Sequence, residues 1–407
     1  MVTAKKSLER LMRYCEKEGF KGYDPYDGLN SRLFQSLPFA RARYPRLAWI
    51  QLFKKLPVNL RPLVGIKKDY NHKGLALFLT GYVNLARVEG LEKYAERIEF
   101  LAGRLIAMKS PGYSGNCWGY NFPWQSKAFY FPKFTPTVVA STFASNALLD
   151  AYELTGNQLY YDEAVSTKNF ILRDLNRTFN NSGNFVFSYS PIDKTSVFNA
   201  SLLGARLLSR IYSYTREEEL IEAAKKSVAY CCEYQNADGS WFYSTLPWHQ
   251  WIDNFHTGFN LECIIDYRRF SGDDSFDGCI DKGMDYYLRN FFDEQGRSFY
   301  YNNSLYPIDI HAPSQLFVTL HKAGTFQRHK DLAERVMKWT VENMQSPEGY
   351  FYYQKRKYLT NKIAYIRWSQ AWIFYGLSYY VINNNFDSIC KRVNSPGLIS
   401  SERPLIT

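Results

Sequence analysis

The stretch "STLPWHQWIDNFHTGFNLE" (Ser244 to Glu262) gathers Trp248, His249, Trp251, Asp253, Asn254 and His256 within nine positions, at the start of a helical pattern. An Asp and a His three residues apart can share a proton, and general acid–base catalysis requires groups held within hydrogen-bond reach of one another and of a substrate. The positive end of the helix dipole welcomes an anionic group there and favours the neutral, base-competent imidazole of His256. Asp253 is equally suited to be the N-cap of that helix. Asp309 and His311 repeat the pairing in "YPIDIHAPSQ" (Tyr306 to Gln315), before the next helical pattern. These four residues are the candidate acids and bases.

Candidate substrate contacts sit in other loops. In "KGYDPYDGLNS" (Lys21 to Ser31), Asp24 and Asp27 lie three apart between Tyr23 and Tyr26. They suit sugar binding or acid–base work, and Asp-Pro and Asp-Gly are also strong turn formers. "GNCWGYNFPWQSKAFYFPKFTPT" (Gly115 to Thr137) carries Trp118, Trp124 and Gln125, with Lys127 beside them. Rings this dense and this interrupted by Pro make either a platform for sugar C–H faces or a small core under a long loop. Trp251 and Asn254 extend the first motif. "YQKRKYLTNKIAYIRWSQAW" supplies Tyr353, Lys362 and Arg367, the two cations being suited to hold a substrate carboxylate.

Something must bring these loops together, and a repeat does so. Aromatic residues after a turn recur at Trp118, Phe185, Trp241, Phe299 and Phe351, spaced 52 to 67 residues apart. Each is followed by a polar or Pro-containing loop, a helix, a short turn and a second helix, the grammar of stacked helical hairpins. First helices begin near Leu75, Pro136, Ser196, Phe255, Ala312 and Tyr365, and second helices near Leu91, Leu159, Glu217, Phe276 and His329. Apolar stripes such as Leu220, Ile221, Ala224, Val228, Cys231 and Cys232 support the assignments. A helix over about Ser7 to Glu18 can partner the last one, making twelve helices in six hairpins. The fold class predicted is all-α: an (α/α)6 toroid spanning 1–407, with first helices inside and aromatic loops at one end. A long irregular segment (20–72) packs on it, and a tail (386–407) follows.

Two motifs suggest terpene chemistry. "QNADGSW" (Gln235 to Trp241) fits the Q-xxx-G-x-W pattern of squalene-cyclase-like proteins, and "DDSFD" (Asp273 to Asp277) fits the DDxxD magnesium motif. The first is one copy of a five-copy structural feature. The second falls in a turn within a hairpin, where acids favour the next helix N-terminus. A prenyl or terpenoid cyclase stays as the rival reading.

Composition narrows the rest. Net charge is +11 with basic residues scattered rather than clustered in a tail, which argues against nucleic acid and allows an electropositive face or plain surface solvation. No apolar run reaches membrane-spanning or signal-peptide length, so a cytoplasmic location without an integral membrane segment is expected. The seven cysteines follow no ligand spacing, and neither metal nor cofactor is expected.

Through "YDPYDGLNS", "CWGYNFPWQS", "DNFHTGFNLE" and "YIRWSQAW", nearly the whole chain resembles a bacterial family of capsule and exopolysaccharide biosynthesis proteins built on a six-hairpin toroid. More distantly it is similar to the toroid domains of uronyl epimerases, polysaccharide lyases and unsaturated-glycan hydrolases, although no stretch matches their catalytic motifs. The resemblance implies an oligo- or polysaccharide ligand, free or lipid-linked, and association with polysaccharide biosynthesis enzymes. The expected chemistry is acid–base work on a uronic-acid-containing glycan, with Trp118, Trp124 and Trp251 stacking on sugar rings. A non-catalytic glycan-binding scaffold is the alternative.

Overall fold

Asn71, Thr137 and Asp253 each stand just before a helix and accept a hydrogen bond from the backbone N–H three residues on, at 3.2, 3.1 and 3.0 Å. Such caps satisfy N–H groups that a helix start leaves unpaired. The computed structural model describes residues 2–126 and 130–393. In chain order the helices are α1 (Val2–Lys17), α2 (Arg32–Gln35), α3 (Arg43–Lys55), α4 (His72–Glu89), α5 (Ala95–Ala107), α6 (Val138–Thr155), α7 (Gln158–Val165), α8 (Thr167–Asn169), α9 (Phe198–Thr215), α10 (Glu218–Glu233), α11 (Asn254–Ser271), α12 (Asp277–Asn290), α13 (His311–Lys322), α14 (Lys330–Met344) and α15 (Trp372–Val393). π-helical turns follow α8 (Phe170–Asp174) and precede α15 (Ile366–Ala371).

Helices α4, α6, α9, α11, α13 and α15 pack each against the next, and α15 returns to α4, so the inner ring is closed. Each pairs with an outer helix: α5, α7 with α8, α10, α12, α14 and, from the opposite chain end, α1 beside α15. This is the (α/α)6 toroid that the period predicts. Val336, Met337, Thr340 and Met344 of α14 are buried, as an amphipathic outer helix requires.

The Q-xxx-G-x-aromatic motif proves to be a seam between neighbouring outer helices. Gln235 Nε2 donates to the carbonyls of Gly239 and Cys279, the latter on α12. Gln345 Nε2 donates to the carbonyls of Gly349 and Ser7, the latter on α1. Gly239 and Gly349 both have positive φ (91° and 101°), and a Cβ there would meet a backbone oxygen of the next outer helix at 2.2 and 2.6 Å. Only glycine fits such a turn and approach. The device that joins two internal hairpins therefore also closes the ring.

Short antiparallel ladders decorate the loop end: β1 (Trp124–Gln125) with β2 (Tyr130–Phe131), β3 (Arg177–Phe179) with β4 (Phe185–Phe187), and β5 (Ile308–Asp309), β6 (Gln354–Lys355) and β7 (Thr360–Asn361) together. Three expectations need correction. The segment 20–72 is not wholly irregular, because α3 buries Ile50 and Phe53 and tolerates Pro45 in its first turn. Asp273 does not cap α12; it accepts from the Ser275 N–H and the Tyr267 hydroxyl and pairs with Lys225 in a turn at the far end from the loops. The last inner helix runs to Val393, into the range expected to be tail, and 394–407 lie outside the described residues. No helix among the described residues is long and apolar enough to cross a membrane.

Candidate functional site

Because the inner helices run parallel around the ring, their N-termini converge at one end and raise the local positive potential there. Asp253 ends the loop before α11 and uses its two oxygens separately. Oδ1 accepts the His256 backbone N–H, which is the capping role. Oδ2 lies 2.7 Å from Nδ1 of the His256 ring and accepts from Trp251 Nε1 at 3.0 Å. A carboxylate on Nδ1 holds the proton on that nitrogen and leaves the lone pair on Nε2. Beside the dyad is a narrow cleft lined by Asn199, Trp241, Tyr243, Trp251, Asp253, His256 and Asn260. Tyr243 stacks on Trp251 with centroids 4.6 Å apart and meets His256 edge-on at 4.7 Å. The dyad thus has an aromatic wall and two amide side chains beside it, groups of the kind that meet sugar hydroxyls and move one proton.

Asp309 and His311 reach the same rim in a different arrangement. The Asp309 carboxylate accepts from the His311 backbone N–H, Gln354 and Trp368 Nε1 and makes no bond to the His311 ring. All three donors are neutral and the group is fully buried, so burial pushes its pKa up to about 6. The His311 ring lies between Phe255 (4.4 Å) and Trp372 (3.9 Å), with neither nitrogen partnered in the protein. Burial holds its pKa well below the ordinary histidine value. The two Asp/His pairs are separated by Phe255 and Phe259, which touch both His256 and His311. Asp309 and His311 are therefore not a second dyad.

Several expected substrate contacts are engaged within the protein. Arg367 makes a two-pronged ion pair with Asp24 (2.6 and 2.8 Å), and Asp27 pairs with Arg61, all four buried. The guanidinium meant for a substrate carboxylate already holds one. Trp118 is fully buried with Nε1 donating to the Leu105 carbonyl, matching the bond of Trp241 to the Cys231 carbonyl, so the Trp118 ring offers no face to a sugar. Asn254 turns towards the outer helix and accepts from Tyr287. Tyr353 is buried with its ring edge against Tyr365, Gln125 donates to the Ser126 carbonyl, and exposed Lys362 lies over Tyr352. Trp124 is half-buried and stacked on Phe131. Lys127 lies outside the described residues. Trp251 alone among the predicted ring platforms lines the cleft.

His72 and Lys73, at the start of α4, stand outside the residues expected from the sequence. Lys73 Nζ sits over Phe143 (4.2 Å), Trp372 (5.0 Å) and Phe259 (5.5 Å), plugging the ring below the mouth. Burial, then the charge of Arg367, drives its pKa well below the lysine value. His72 has both nitrogens unpartnered, and burial lowers its pKa to about 3. "NHKG" follows the same loop-to-helix junction as "DNFH", which is the signal that would have found them. Beneath the plug, Arg206 bridges Glu262 and Asp266, bordering a second space of about 10 Å³.

No family model matches the chain, and no curated protein does. Solved structures match in fold. Cellobiose 2-epimerase from Bacillus thermoamylovorans superposes with a TM-score of 0.62 at 14% identity, over 79% of this chain and 90% of that one. An unsaturated glucuronyl hydrolase specific for heparin gives 0.61 at 11% identity, over 94% and 97%. A GH76 α-mannanase of Bacteroides thetaiotaomicron gives 0.57 at 12%, over 77% and 88%. At such identities the likeness establishes the toroid and nothing finer.

Proposed function

We propose that this protein is a carbohydrate-acting enzyme of the epimerase, lyase or glycosidase kind, with His256 as its proton-transfer group and Asp253 orienting it. The observation that carries the reading is the 2.7 Å contact between the two, at an aromatic-walled cleft where the inner helix N-termini converge. The sugar ring would stack against Trp251 and Tyr243, with Asn199 and Asn260 meeting its hydroxyls. That the similarly folded proteins named above are carbohydrate enzymes supports the class. Work in surface-polysaccharide production, in the cytoplasm and beside other enzymes of that process, belongs to the same proposal and rests on the four quoted segments. With Arg367 engaged by Asp24, recognition of a uronic acid would fall to the helix N-termini instead.

Incubation with neutral and uronate-containing oligosaccharides in heavy water, followed by proton NMR, tests this. Loss of a sugar C–H signal marks epimerase or lyase chemistry, and new reducing ends without exchange mark hydrolysis. His256→Ala should abolish whichever is seen. Binding without any turnover would leave the scaffold reading in its place.

A further inference from the structure

Residues 28–68 contain nine Lys and Arg and no Asp or Glu, where the chain's average would place about four acids; two of the nine are already paired, Arg61 with Asp27 and Lys68 with Glu18. This stretch crosses the mouth of the ring: Arg61 donates to Asp27 and Tyr365, and Lys54 donates to Tyr26, whose ring meets Trp368. Its inner side is anchored by Leu29, Phe34, Ile50 and Phe53. Its outer side is apolar as well. Leu33, Phe39, Tyr44, Leu52, Val58 and Leu63 are 47 to 82% exposed. On α3, Tyr44, Leu52 and Lys55 share the solvent face.

A second segment joins this surface. The β6–β7 hairpin is tied to the end of α3 by Arg356 donating to the Lys55 carbonyl (3.1 Å) and Asn361 donating to the Leu56 carbonyl (3.0 Å). Its tip carries Lys357, Tyr358 and Leu359, the last two 86 and 41% exposed. Two segments about 300 residues apart thus place bare aliphatic and aromatic side chains among cations on the same face. Of the sixteen large apolar residues exposed among the described residues, eight belong to these two segments.

We propose that this face docks on an anionic lipid bilayer, lying in its interface without crossing it. Cations meet acidic headgroups, and Val58, Leu63, Tyr358 and their neighbours enter the region where headgroups give way to acyl chains. A soluble polyanion, nucleic acid included, would satisfy the charges and the aromatic rings but leave the aliphatic tips of Leu33, Leu52, Val58 and Leu63 in water. The bilayer satisfies both. Docked in this way the mouth faces the membrane and would meet the headgroup of a lipid-linked saccharide, an extension that rests on the proposed function. Vesicle binding does not, so failure of one leaves the other standing.

Co-sedimentation of the full chain with vesicles of phosphatidylcholine, alone or with about a third phosphatidylglycerol, tests the proposal. Binding should be about tenfold stronger to the anionic vesicles and weaken in high salt. Val58→Glu with Leu63→Glu, and separately Tyr358→Glu, should each reduce it about tenfold while the thermal melt is unchanged, since these side chains are already in water. Absence of vesicle binding, equal binding to both compositions, or binding indifferent to these substitutions overturns it. Retention on heparin without vesicle binding would identify a polyanion surface and overturn it equally.

Discussion

Asp253 touches His256 twice, through the backbone N–H at 3.0 Å and through ring Nδ1 at 2.7 Å, each with a different carboxylate oxygen. One side chain both starts the helix and fixes the histidine tautomer. The two functions can be separated by mutation. Asn caps helices as well as Asp does, so Asp253→Asn should leave the melting temperature nearly unchanged while losing the carboxylate that orients the ring. Turnover should fall by roughly 10²–10⁴-fold, the scale seen when an orienting carboxylate is lost from a catalytic histidine. Asp253→Ala should add about 1 kcal/mol of lost stability. Full activity in Asp253→Asn, measured by the exchange or reducing-end assay, removes the dyad from the mechanism.

The pair of Arg367 with Asp24 leads to the opposite expectation. Arg367→Met strands a buried carboxylate and should cost about 3–5 kcal/mol, visible as a lower urea midpoint. Any activity that remains should show an unchanged KM. A raised KM with an unchanged midpoint would return Arg367 to substrate binding.

Asp309 predicts a pH dependence. Its native carboxyl keeps the proton up to about 6, whereas an unfolded aspartate releases it near ~3.9. Its contribution is therefore complete below about pH 4 and is lost as pH rises through about 6. His72 works in the other sense: its native pKa of about 3 lies below the unfolded value of roughly 6.5, so stability falls as pH drops through that window. Asp309→Asn should flatten the first dependence and His72→Gln the second, as read from urea midpoints between pH 3 and pH 7. If neither variant alters the profile, the burial argument for these groups fails.

The outer seam can be tested at two places. Gln235→Ala removes two hydrogen bonds from a side-chain amide to backbone carbonyls, Gln345→Ala removes two such bonds and one accepted from the Ser7 hydroxyl, and each should cost about 1–3 kcal/mol. Trp118→Phe and Trp241→Phe, losing equivalent indole bonds, should cost similar amounts, and Trp118→Phe should leave glycan binding untouched. Denaturant unfolding with a parallel binding measurement checks both. A large cost at Gln235 with none at Gln345 would mean that α1 is not held by the same seam.

The hairpin period, the helix starts and the partnering of α1 with the last helix were legible in the residues, because turns, caps and apolar stripes are local patterns set by backbone geometry and burial. Asp253 and His256 were legible for the same reason, being three apart on one helical turn. The fate of Arg367 was not. Its partner Asp24 lies 343 residues away, and only the tertiary fold decides that Arg367 and Arg61 meet protein carboxylates. Trp118 and Trp251 look alike in sequence, yet one is wedged between hairpins and the other lines the cleft, since a loop's composition does not say which ring turns inward. Lys73 acquires its environment from α6, α11 and α15 together, and His72 packs on Tyr120 from the loop before α6. Side-chain chemistry and local spacing are written along the chain. Which groups share a buried volume, and so which charges are cancelled and which stay free, depends on contacts that exist only once the sixth hairpin closes on the first.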